Sequence, residues 1–197
     1  MMLVTEYMSN GDLRNYLRET NSSSFSWKQK ITCALNVSEG LTCIHSLVPK
    51  IIHRDLKSAN VLLDDKLHAK ITDFGVSRET TDATMTAGIG TYRWMAPEVL
   101  TGEHYTESAD IFSLGAIFSE LDTHRIPYAG LSNPNGKPMT DTAILALVMS
   151  GTLRPTFTDS CPQAIRDLAN QCLNFNPEQR PQAATVSFHL LTALKQM

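Results

Sequence analysis

Residues 50–75 combine three short apolar segments with two polar motifs, and this pattern constrains the fold more than any other stretch of the chain. The apolar segments KII, NVLL and AKIT each have the length of a short β-strand. The motif HRDLKSAN occupies residues 53–60, and DFG occupies residues 73–75. Long irregular stretches in compact domains are usually functional, so these polar motifs are the first candidates for a site.

The two polar motifs are predicted to meet at one end of a β-hairpin. If residues 50–63 pair with residues 69–73, Asp55, Asn60 and Asp73 all emerge at the same end. Carboxylate and amide oxygens that converge in this way suit Mg²⁺, which takes few protein ligands and keeps water and phosphate as the others. The alternative is a solvated polar loop, in which an Asp beside an Arg forms an ordinary surface ion pair.

The rest of the chain is predicted to be mainly helical. Asp12 and Ser26 are candidate helix caps, and after Ser26 apolar residues recur at steps of three and four, as an amphipathic helix of about 20 residues requires. Residues 1–7 are predicted to form a strand, and residues 76–98 a long loop. Further helices are predicted over 108–121, 140–150, 162–173 and 181–195. The fold class is therefore α+β, mostly helical with a small β patch.

Composition limits the class of protein. The 197 residues fit one domain, and an apolar content of 42% is enough for a core. A net charge of −3 gives no electrostatic case for binding nucleic acid or an anionic membrane. No apolar run reaches the roughly 20 residues that span a bilayer, and no signal peptide is visible, so we expect a cytoplasmic chain. The cysteines have no CxxC spacing and are expected to be buried free thiols: Cys33, Cys43, Cys161 and Cys172.

Three motifs in a fixed order carry a resemblance to a known family. H-R-D-L-K-x-x-N is followed by D-F-G and then by A-P-E at residues 96–98. Each motif alone occurs by chance, but the set in this order and with these gaps resembles the protein kinases. Lys57 and the stretch GTYRWMAPE resemble Ser/Thr kinases, whereas TEYM has a tyrosine-kinase character. The chain therefore most resembles the tyrosine-kinase-like group of Ser/Thr kinases.

The resemblance implies a partial protein kinase domain over residues 1–197. It would have a protein kinase-like fold made of the hinge and the α-helical C-terminal lobe, with almost the whole N-terminal lobe missing. The sequence contains neither a G-x-G-x-x-G loop nor a V-A-I-K lysine. The implied parts are the hinge at 5–11, the catalytic loop at 53–60, the activation segment at 73–98 and the helical lobe to 195.

The resemblance also implies a chemistry and its cofactors, ATP and Mg²⁺. The partner would be a protein substrate whose Ser or Thr hydroxyl receives the γ-phosphate. Asp55 would be the catalytic base, and Lys57 would lie on the γ-phosphate. Asn60 and Asp73 would hold the metal ion.

Nucleotide binding is implied for residues of the hinge and of the hairpin. The backbone carbonyl of Glu6 and the backbone amide and carbonyl of Met8 would pair with adenine, and Leu62 would lie under the ring. Asp12 matches a position that meets the ribose or a cation of the substrate. The full set of implied cofactor-binding residues is Glu6, Met8, Asp12, Lys57, Asn60, Leu62 and Asp73.

Five further residues match structural positions of the family. Asp110 would anchor the backbone of the catalytic loop, although a carboxylate in a first helical turn is an alternative reading. Glu98 and Arg180 would form a buried ion pair. His53 and Phe74 fit a stacked hydrophobic spine, which favours a core role for the histidine.

Regulation is implied for the segment that follows DFG. Thr91 would form hydrogen bonds with Asp55 and Lys57. Arg54 marks the subtype in which a phosphate on the activation segment binds that arginine, and the phosphate would come from an upstream kinase or from autophosphorylation. The candidate acceptors are Thr80, Thr81, Thr84 and Thr86.

Three readings of the function remain open on the sequence. The first is a Ser/Thr protein kinase whose 197-residue chain turns over little ATP, because a glycine-rich loop and its lysine are missing from it. The second is a kinase-derived scaffold, or pseudokinase, which binds partners without catalysis. The third keeps the enzyme but makes it the cytoplasmic part of a membrane receptor.

Overall fold

We describe a computed structural model of the chain over residues 4–74 and 91–197. These residues form seven α-helices, a two-stranded sheet and three short 3₁₀ helices. The α-helices are α1 (Leu13–Glu19), α2 (Trp27–His45), α3 (Pro97–Leu100), α4 (Ser108–Thr123), α5 (Asp141–Met149), α6 (Gln163–Cys172) and α7 (Ala183–Lys195). The strands are β1 (Val61–Leu63) and β2 (Ala69–Ile71), and the 3₁₀ helices are Ser58–Asn60, Thr91–Trp94 and Pro177–Gln179.

Helix α2 begins where the sequence predicted a cap. The Ser26 hydroxyl accepts the N–H of Gln29, and the Gln29 side chain returns a bond to the Ser26 backbone. This capping box satisfies N–H groups that have no partner within the helix. The helix packs along α7, and Ile31, Leu35 and Leu41 of its apolar stripe are buried. The predicted amphipathic helix is confirmed.

Helix α4 lies at the centre of the fold, and every residue from Ala109 to Asp122 is buried. A helix that is buried on all sides needs small residues where a neighbour approaches. Gly115 supplies this, because a Cβ built there would lie 2.7 Å from Leu173 Cγ. Its neighbour α6 therefore packs directly against the α4 backbone.

The predicted hairpin forms, but it is shorter than expected. Strands β1 and β2 pair antiparallel, with Val61 opposite Ile71 and Leu63 opposite Ala69. The expected strand at KII is wrong, since residues 50–52 have no strand pairing.

The expected strand over residues 1–7 is also wrong for its described part, residues 4–7. Val4 and Tyr7 are each 86% exposed, so these apolar side chains lack a second strand to pack against in the described part of the chain. An apolar pattern alone does not make a strand when no edge is available to pair with it.

The helices of the second half match their predicted ranges to within two residues, as α4, α5, α6 and α7 show. The long loop predicted over 76–98 is wrong from residue 91 onward, where the 3₁₀ helix Thr91–Trp94 and then α3 form. Pro97 at the first turn favours that short helix. The mostly helical α+β class is confirmed.

The cysteines are free in the described residues, but one prediction about them is wrong. Cys33, Cys161 and Cys172 are buried, whereas Cys43 is exposed. Cys43 lies in the last turns of α2, where the helix turns this face away from the core. In the part of the chain that the structure describes, no helix is long and apolar enough to cross a bilayer.

A buried ion pair joins α3 to the segment before α7. Arg180 donates from Nη1 and Nη2 to the two carboxylate oxygens of Glu98, at 2.6 and 2.8 Å. Arg180 also donates to the carbonyls of Asn174, Ser108 and Phe175. The predicted pair is confirmed, and the guanidinium ties four segments together.

We expect Arg180→Met to lower the free energy of unfolding by about 3–5 kcal/mol, because it leaves the Glu98 carboxylate buried without its cation. Urea titration followed by circular dichroism measures this. The matched control is Arg18→Gln, since Arg18 forms only an exposed pair with Glu19 and its loss should be undetectable. Equal stability of Arg180→Met and the wild-type chain would show that the pair is not a structural tie.

Candidate active site

The hairpin brings the two polar motifs together as the sequence predicted. The backbone N–H of Thr72 donates to the carbonyl of Asn60 at 2.9 Å, which extends the ladder one step beyond β1 and β2. Asp73 follows directly, with a φ of 65° in the left-handed region that few residues other than glycine adopt. Asn60 and Asp73 therefore lie at the same end of the hairpin, Asn60 buried and Asp73 exposed.

Asp55 lies at the centre of a small network of side chains. Lys57 Nζ donates to Asp55 Oδ2 at 2.7 Å, and Asn60 Nδ2 donates to the same oxygen at 3.2 Å and to the Asp55 carbonyl at 2.8 Å. The other carboxylate oxygen, Oδ1, is buried and has no hydrogen-bond donor in the described residues. One oxygen is thus held by the loop, and the other remains able to accept a proton.

The backbone of this loop is fixed by a carboxylate from α4. Asp110 accepts the backbone N–H of His53 at 2.9 Å and that of Arg54 at 3.0 Å. His45 Nε2 contacts the same carboxylate at 2.8 Å. The predicted anchoring role of Asp110 is confirmed, and the anchor holds Arg54 at a φ of 70°.

The histidine of the loop belongs to the core. His53 is fully buried, its Nε2 lies 2.9 Å from the carbonyl of Thr72, and its ring centroid is 5.1 Å from that of Phe74. The predicted contact of these two rings is confirmed. It links the loop to the residues that follow β2.

Two cationic residues of the loop have further contacts. Lys57 Nζ donates to Thr91 Oγ1 at 3.4 Å, as predicted. The hydrogen bond predicted between Thr91 and Asp55 is wrong for the described residues, where Asp55 Oδ1 has no partner and Oδ2 is bonded by Lys57 and Asn60. The Arg54 guanidinium lies 5.4 Å from the ring centroid of Tyr105. The threonines predicted to carry the phosphate that binds Arg54 lie outside the described residues: Thr80, Thr81, Thr84 and Thr86.

The predicted hinge runs beside β1. The N–H of Asn10 donates to the Leu63 carbonyl at 3.0 Å, and the N–H of Leu63 donates to the Gly11 carbonyl at 2.8 Å. A β-bridge pairs Asp12 with Leu62. Leu62 is therefore adjacent to the hinge, where a nucleotide base would have to lie to meet both.

The hinge residues have contacts of their own. The Met8 carbonyl accepts the N–H of Gly11 at 3.1 Å, which leaves one of its two lone pairs for another donor. The Glu6 side chain pairs with Lys70. Asp12 caps α1 by accepting the N–H of Asn15 at 2.9 Å, so the cap predicted at this position is confirmed.

Glu120, a buried carboxyl of α4, was not predicted from the sequence. Ser58 Oγ donates to Oε1 at 2.7 Å, and Trp94 Nε1 donates to Oε2 at 2.6 Å. Burial raises the pKa of Glu120 to about 8, and the two hydrogen bonds and the charge of Arg14 oppose the shift. A glutamate inside the otherwise apolar run GAIFSEL was the signal that could have revealed it.

Few side chains of the described residues could hold a metal ion. They contain no cluster of three or more His, Cys, Asp or Glu side chains that could hold a metal ion. One amide and one carboxylate, those of Asn60 and Asp73, lie at the same end of the hairpin, and Asn60 Nδ2 already donates to the Asp55 carbonyl. The amide oxygen is therefore the atom of Asn60 that remains for a cation, which fits the sparse protein ligation of Mg²⁺.

Comparison with known sequences decides the family. The family profile described as the protein kinase domain matches residues 1–191. The chain belongs to the protein kinase family. The resemblance found in the motifs is thus confirmed over nearly the whole chain.

Three relatives show the type of kinase. Serine/threonine/tyrosine-protein kinase HT1 of Arabidopsis thaliana is 37% identical over 185 residues, 93% of this chain and 45% of HT1. A mitogen-activated protein kinase kinase kinase 7-like protein of Drosophila melanogaster is 36% identical, over 91% of this chain and 45% of that protein. Serine/threonine-protein kinase STY17 of Arabidopsis thaliana is 36% identical, over 94% of this chain and 31% of its own length.

These relatives confirm the tyrosine-kinase-like type that the sequence predicted. The chain spans less than half the length of each of them.

We expect the stability of the chain to fall as the pH rises through the window that Glu120 titrates. Its pKa is raised from 4.5 to about 8, so the folded state binds the proton more tightly than the unfolded state. The stability that the protonated group contributes is complete below 4.5 and is lost as the pH approaches about 8.

The variant Glu120→Gln removes this titration and keeps the size of the side chain. Its stability relative to the wild-type chain, measured by urea unfolding, should therefore improve as the pH rises from 4.5 to about 8. Glu19→Gln, on the exposed face of α1, is the control and should leave the pH profile unchanged. Parallel profiles of Glu120→Gln and the wild-type chain would contradict the assignment.

Proposed function

We propose that the chain is the catalytic part of an ATP- and Mg²⁺-dependent Ser/Thr protein kinase, which transfers the γ-phosphate of ATP to protein hydroxyls. The observation that carries the proposal is the unshared oxygen of Asp55. Its Oδ2 is held by Lys57 and Asn60, whereas its buried Oδ1 has no donor among the described residues. The Asp55 side chain keeps 18% of its surface exposed, so a hydroxyl of the protein substrate is the donor that we propose for this carboxylate.

Asp55 and Lys57 have different proposed roles at the γ-phosphoryl group that is transferred. Asp55 Oδ1 accepts the proton of the attacking hydroxyl and orients that hydroxyl toward the phosphorus. Lys57 places its ammonium 2.7 Å from the same carboxylate, where it can neutralise charge on the phosphoryl oxygens. Positioning and charge stabilisation are most of what phosphoryl transfer requires of a protein.

Asn60 and Asp73 are the proposed metal ligands. These two side chains would hold Mg²⁺, whose positive charge would offset the negative charge of the phosphates. The Asn60 amide is oriented by its two bonds to Asp55, and the hairpin ladder sets the distance from its backbone to that of residue 72. Asp73 supplies the carboxylate from the next residue.

The nucleotide is proposed to lie against the hinge and β1. Glu6 and Met8 would pair with adenine through their backbone, and Leu62 would lie under the ring. The pairing of Asp12 with Leu62 supports this, because it brings hinge and strand side by side. The carboxylate of Asp12, at the N-terminus of α1, would contact the ribose or a cation of the substrate.

Regulation by phosphorylation is proposed for the segment at 73–98. A phosphate carries about two negative charges at neutral pH, enough to order a loop against an arginine. Arg54 is the proposed receptor, with its guanidinium stacked near Tyr105. An upstream kinase, or the protein itself, would supply the phosphate. Replacing Thr80, Thr81, Thr84 and Thr86 together with Ala and retaining full activity would exclude this proposal.

We expect Asp55→Asn to lower the rate of phosphoryl transfer by at least about 100-fold, because an amide accepts no proton from the hydroxyl. The measurement is transfer of labelled phosphate from ATP to a library of Ser- and Thr-containing peptides by the full-length protein that contains these residues. Asp65→Asn, an exposed residue in the hairpin turn, is the control.

The same assay separates the kinase from its alternatives. If the wild-type protein and Asp55→Asn are equally inactive while partner binding persists, the protein is a scaffold and the proposal fails. Purified residues 1–197 alone are expected to turn over ATP slowly, because this sequence lacks a G-x-G-x-x-G loop and a V-A-I-K lysine. Turnover at a typical kinase rate by this chain would overturn that part of the proposal.

We expect Asp73→Asn to raise the Mg²⁺ concentration needed for half-maximal ATP binding by about tenfold or more, since one carboxylate of a sparse metal site is lost. A fluorescent ATP analogue titrated with Mg²⁺ measures this in the full-length protein. Asp64→Asn serves as the control, because that carboxylate serves the hairpin turn through His68 and Lys66. An unchanged Mg²⁺ requirement in Asp73→Asn would remove Asp73 from the metal site.

A further inference from the structure

A basic cavity lies between α1 and the turn that follows α4. Its volume is about 200 Å³. The lining residues are Arg14, Leu17, Arg18, Glu120, His124, Arg125 and Ile126. Three guanidinium groups from two separate elements thus surround one small concave space.

The charge of this cavity is not balanced within the described residues. Arg18 pairs with Glu19 at 3.6 Å, but neither Arg14 nor Arg125 forms a salt bridge in the described residues, although the charge of Arg14 acts on the carboxyl of Glu120. Arg14 and Arg18 also stand four residues apart on α1, a spacing at which like charges destabilise a helix. An anion placed between them would relieve this repulsion.

The other titratable groups do not supply that anion. Glu120 lies in the cavity wall, but burial raises its pKa to about 8, so it is mostly neutral near pH 7. The pKa of His124 is lowered by burial and by the charge of Lys30, so this imidazole adds no positive charge there. The arginines therefore set the sign of the potential in the cavity.

The cavity borders the catalytic loop. Glu120 bonds to Ser58 of that loop at 2.7 Å and to the Trp94 ring at 2.6 Å. The Arg14 guanidinium lies 5.9 Å from the centre of the same ring. The other end of the 3₁₀ helix Thr91–Trp94 contacts Lys57 at 3.4 Å.

The distance to the reaction centre follows from this helix. A 3₁₀ helix rises about 2 Å per residue, so Thr91 and Trp94 are separated by about 6 Å along its axis. With a side chain at each end, the cavity lies roughly 10 Å from Lys57. An extended peptide advances about 3.3 Å per residue, so this span corresponds to about two to four residues.

We propose that this cavity binds the carboxylate of an acidic residue in the protein substrate, about two to four positions from the acceptor Ser or Thr, through Arg14 and Arg125. The inference rests on the proposed function and adds to it the class of substrate. Guanidinium groups bind carboxylates through paired, charge-assisted hydrogen bonds, which fix a side chain in one orientation. A phosphoserine presents the same anionic chemistry and is the second source to be tested.

The test measures peptide binding to the full-length protein by fluorescence anisotropy, without ATP. The peptides have a central Ser, and a single Glu, Gln, Lys or phosphoserine is moved through the positions on either side of it. We expect a Glu peptide at one of these positions to bind about tenfold more tightly than its Gln counterpart at low salt, with the difference shrinking as salt rises.

Variants of the cavity arginines test whether the preference for Glu over Gln peptides arises in this cavity. Arg14→Gln and Arg125→Gln should each abolish most of the preference for Glu, and the double variant R14E/R125E should prefer the Lys peptide. Arg154→Gln, an exposed arginine elsewhere, is the control and should keep the preference. Thermal melting by circular dichroism verifies folding, and the single Gln variants decide the matter if the double variant does not fold.

Three results would overturn the proposal. The first is equal binding of Glu and Gln peptides to the wild-type protein. The second is an unchanged Glu preference in both single variants. The third is tight binding of the phosphoserine peptide alone, which would assign the cavity to phosphate and not to carboxylate.

Failure of the proposed function has a different signature. The variant Asp55→Asn should keep the Glu-to-Gln ratio of binding that the wild-type protein shows, whatever its affinity for the central Ser, because Asp55 does not line the cavity. Glu preference in binding without any phosphoryl transfer would refute the kinase reaction while leaving the cavity as an acidic-peptide site. Phosphoryl transfer without Glu preference would refute the cavity assignment alone.

Discussion

The site depends on one buried carboxylate that binds backbone rather than substrate. Asp110 accepts the N–H groups of His53 and Arg54, and His45 contacts it as well. Hydrogen bonds to a charged group contribute about 1.5–3 kcal/mol each, whereas a left-handed conformation such as that of Arg54 costs about 1–3 kcal/mol. The two hydrogen bonds to Asp110 therefore stabilise the loop by more than the left-handed conformation of Arg54 costs. The loop holds Asp55 in a fixed position as a result.

Helix α4 supplies a second such contact about three turns further along. Glu120 bonds to Ser58, so both ends of the catalytic loop are tied to the same buried helix. A helix that is buried on all sides moves little, because its neighbours pack against it at near-crystalline density. This explains why two carboxyl groups are retained in a helix whose other buried residues are mostly apolar.

The sequence predicted the parts of this arrangement that are local or carried by motifs. The caps at Asp12 and Ser26 and the helices of the second half depend on spacing within a few residues, and they form as expected. The strands expected at residues 4–7 and 50–52 do not form, because pairing is decided by distant segments. Glu120 and the arginine cavity were missed for the same reason. The partners of Glu120 are 26 and 62 residues away in the chain, and the cavity joins α1 to the turn after α4.

The segment that we propose as the activation segment shows how these contacts act together. At its described end, Trp94 is held from two directions, since its carbonyl accepts the Ser113 hydroxyl at 2.8 Å and its ring N–H donates to Glu120. The same short helix begins at Thr91, which contacts Lys57. A shift of Trp94 that moved this helix would therefore change the contact between Thr91 and Lys57. Because Arg14 lies over the same tryptophan ring, an anion that binds the arginines acts on a wall that the catalytic loop shares. Under the two proposals, one of the arginines that would bind the substrate and the lysine that would act on the phosphate thus contact the two ends of one 3₁₀ helix.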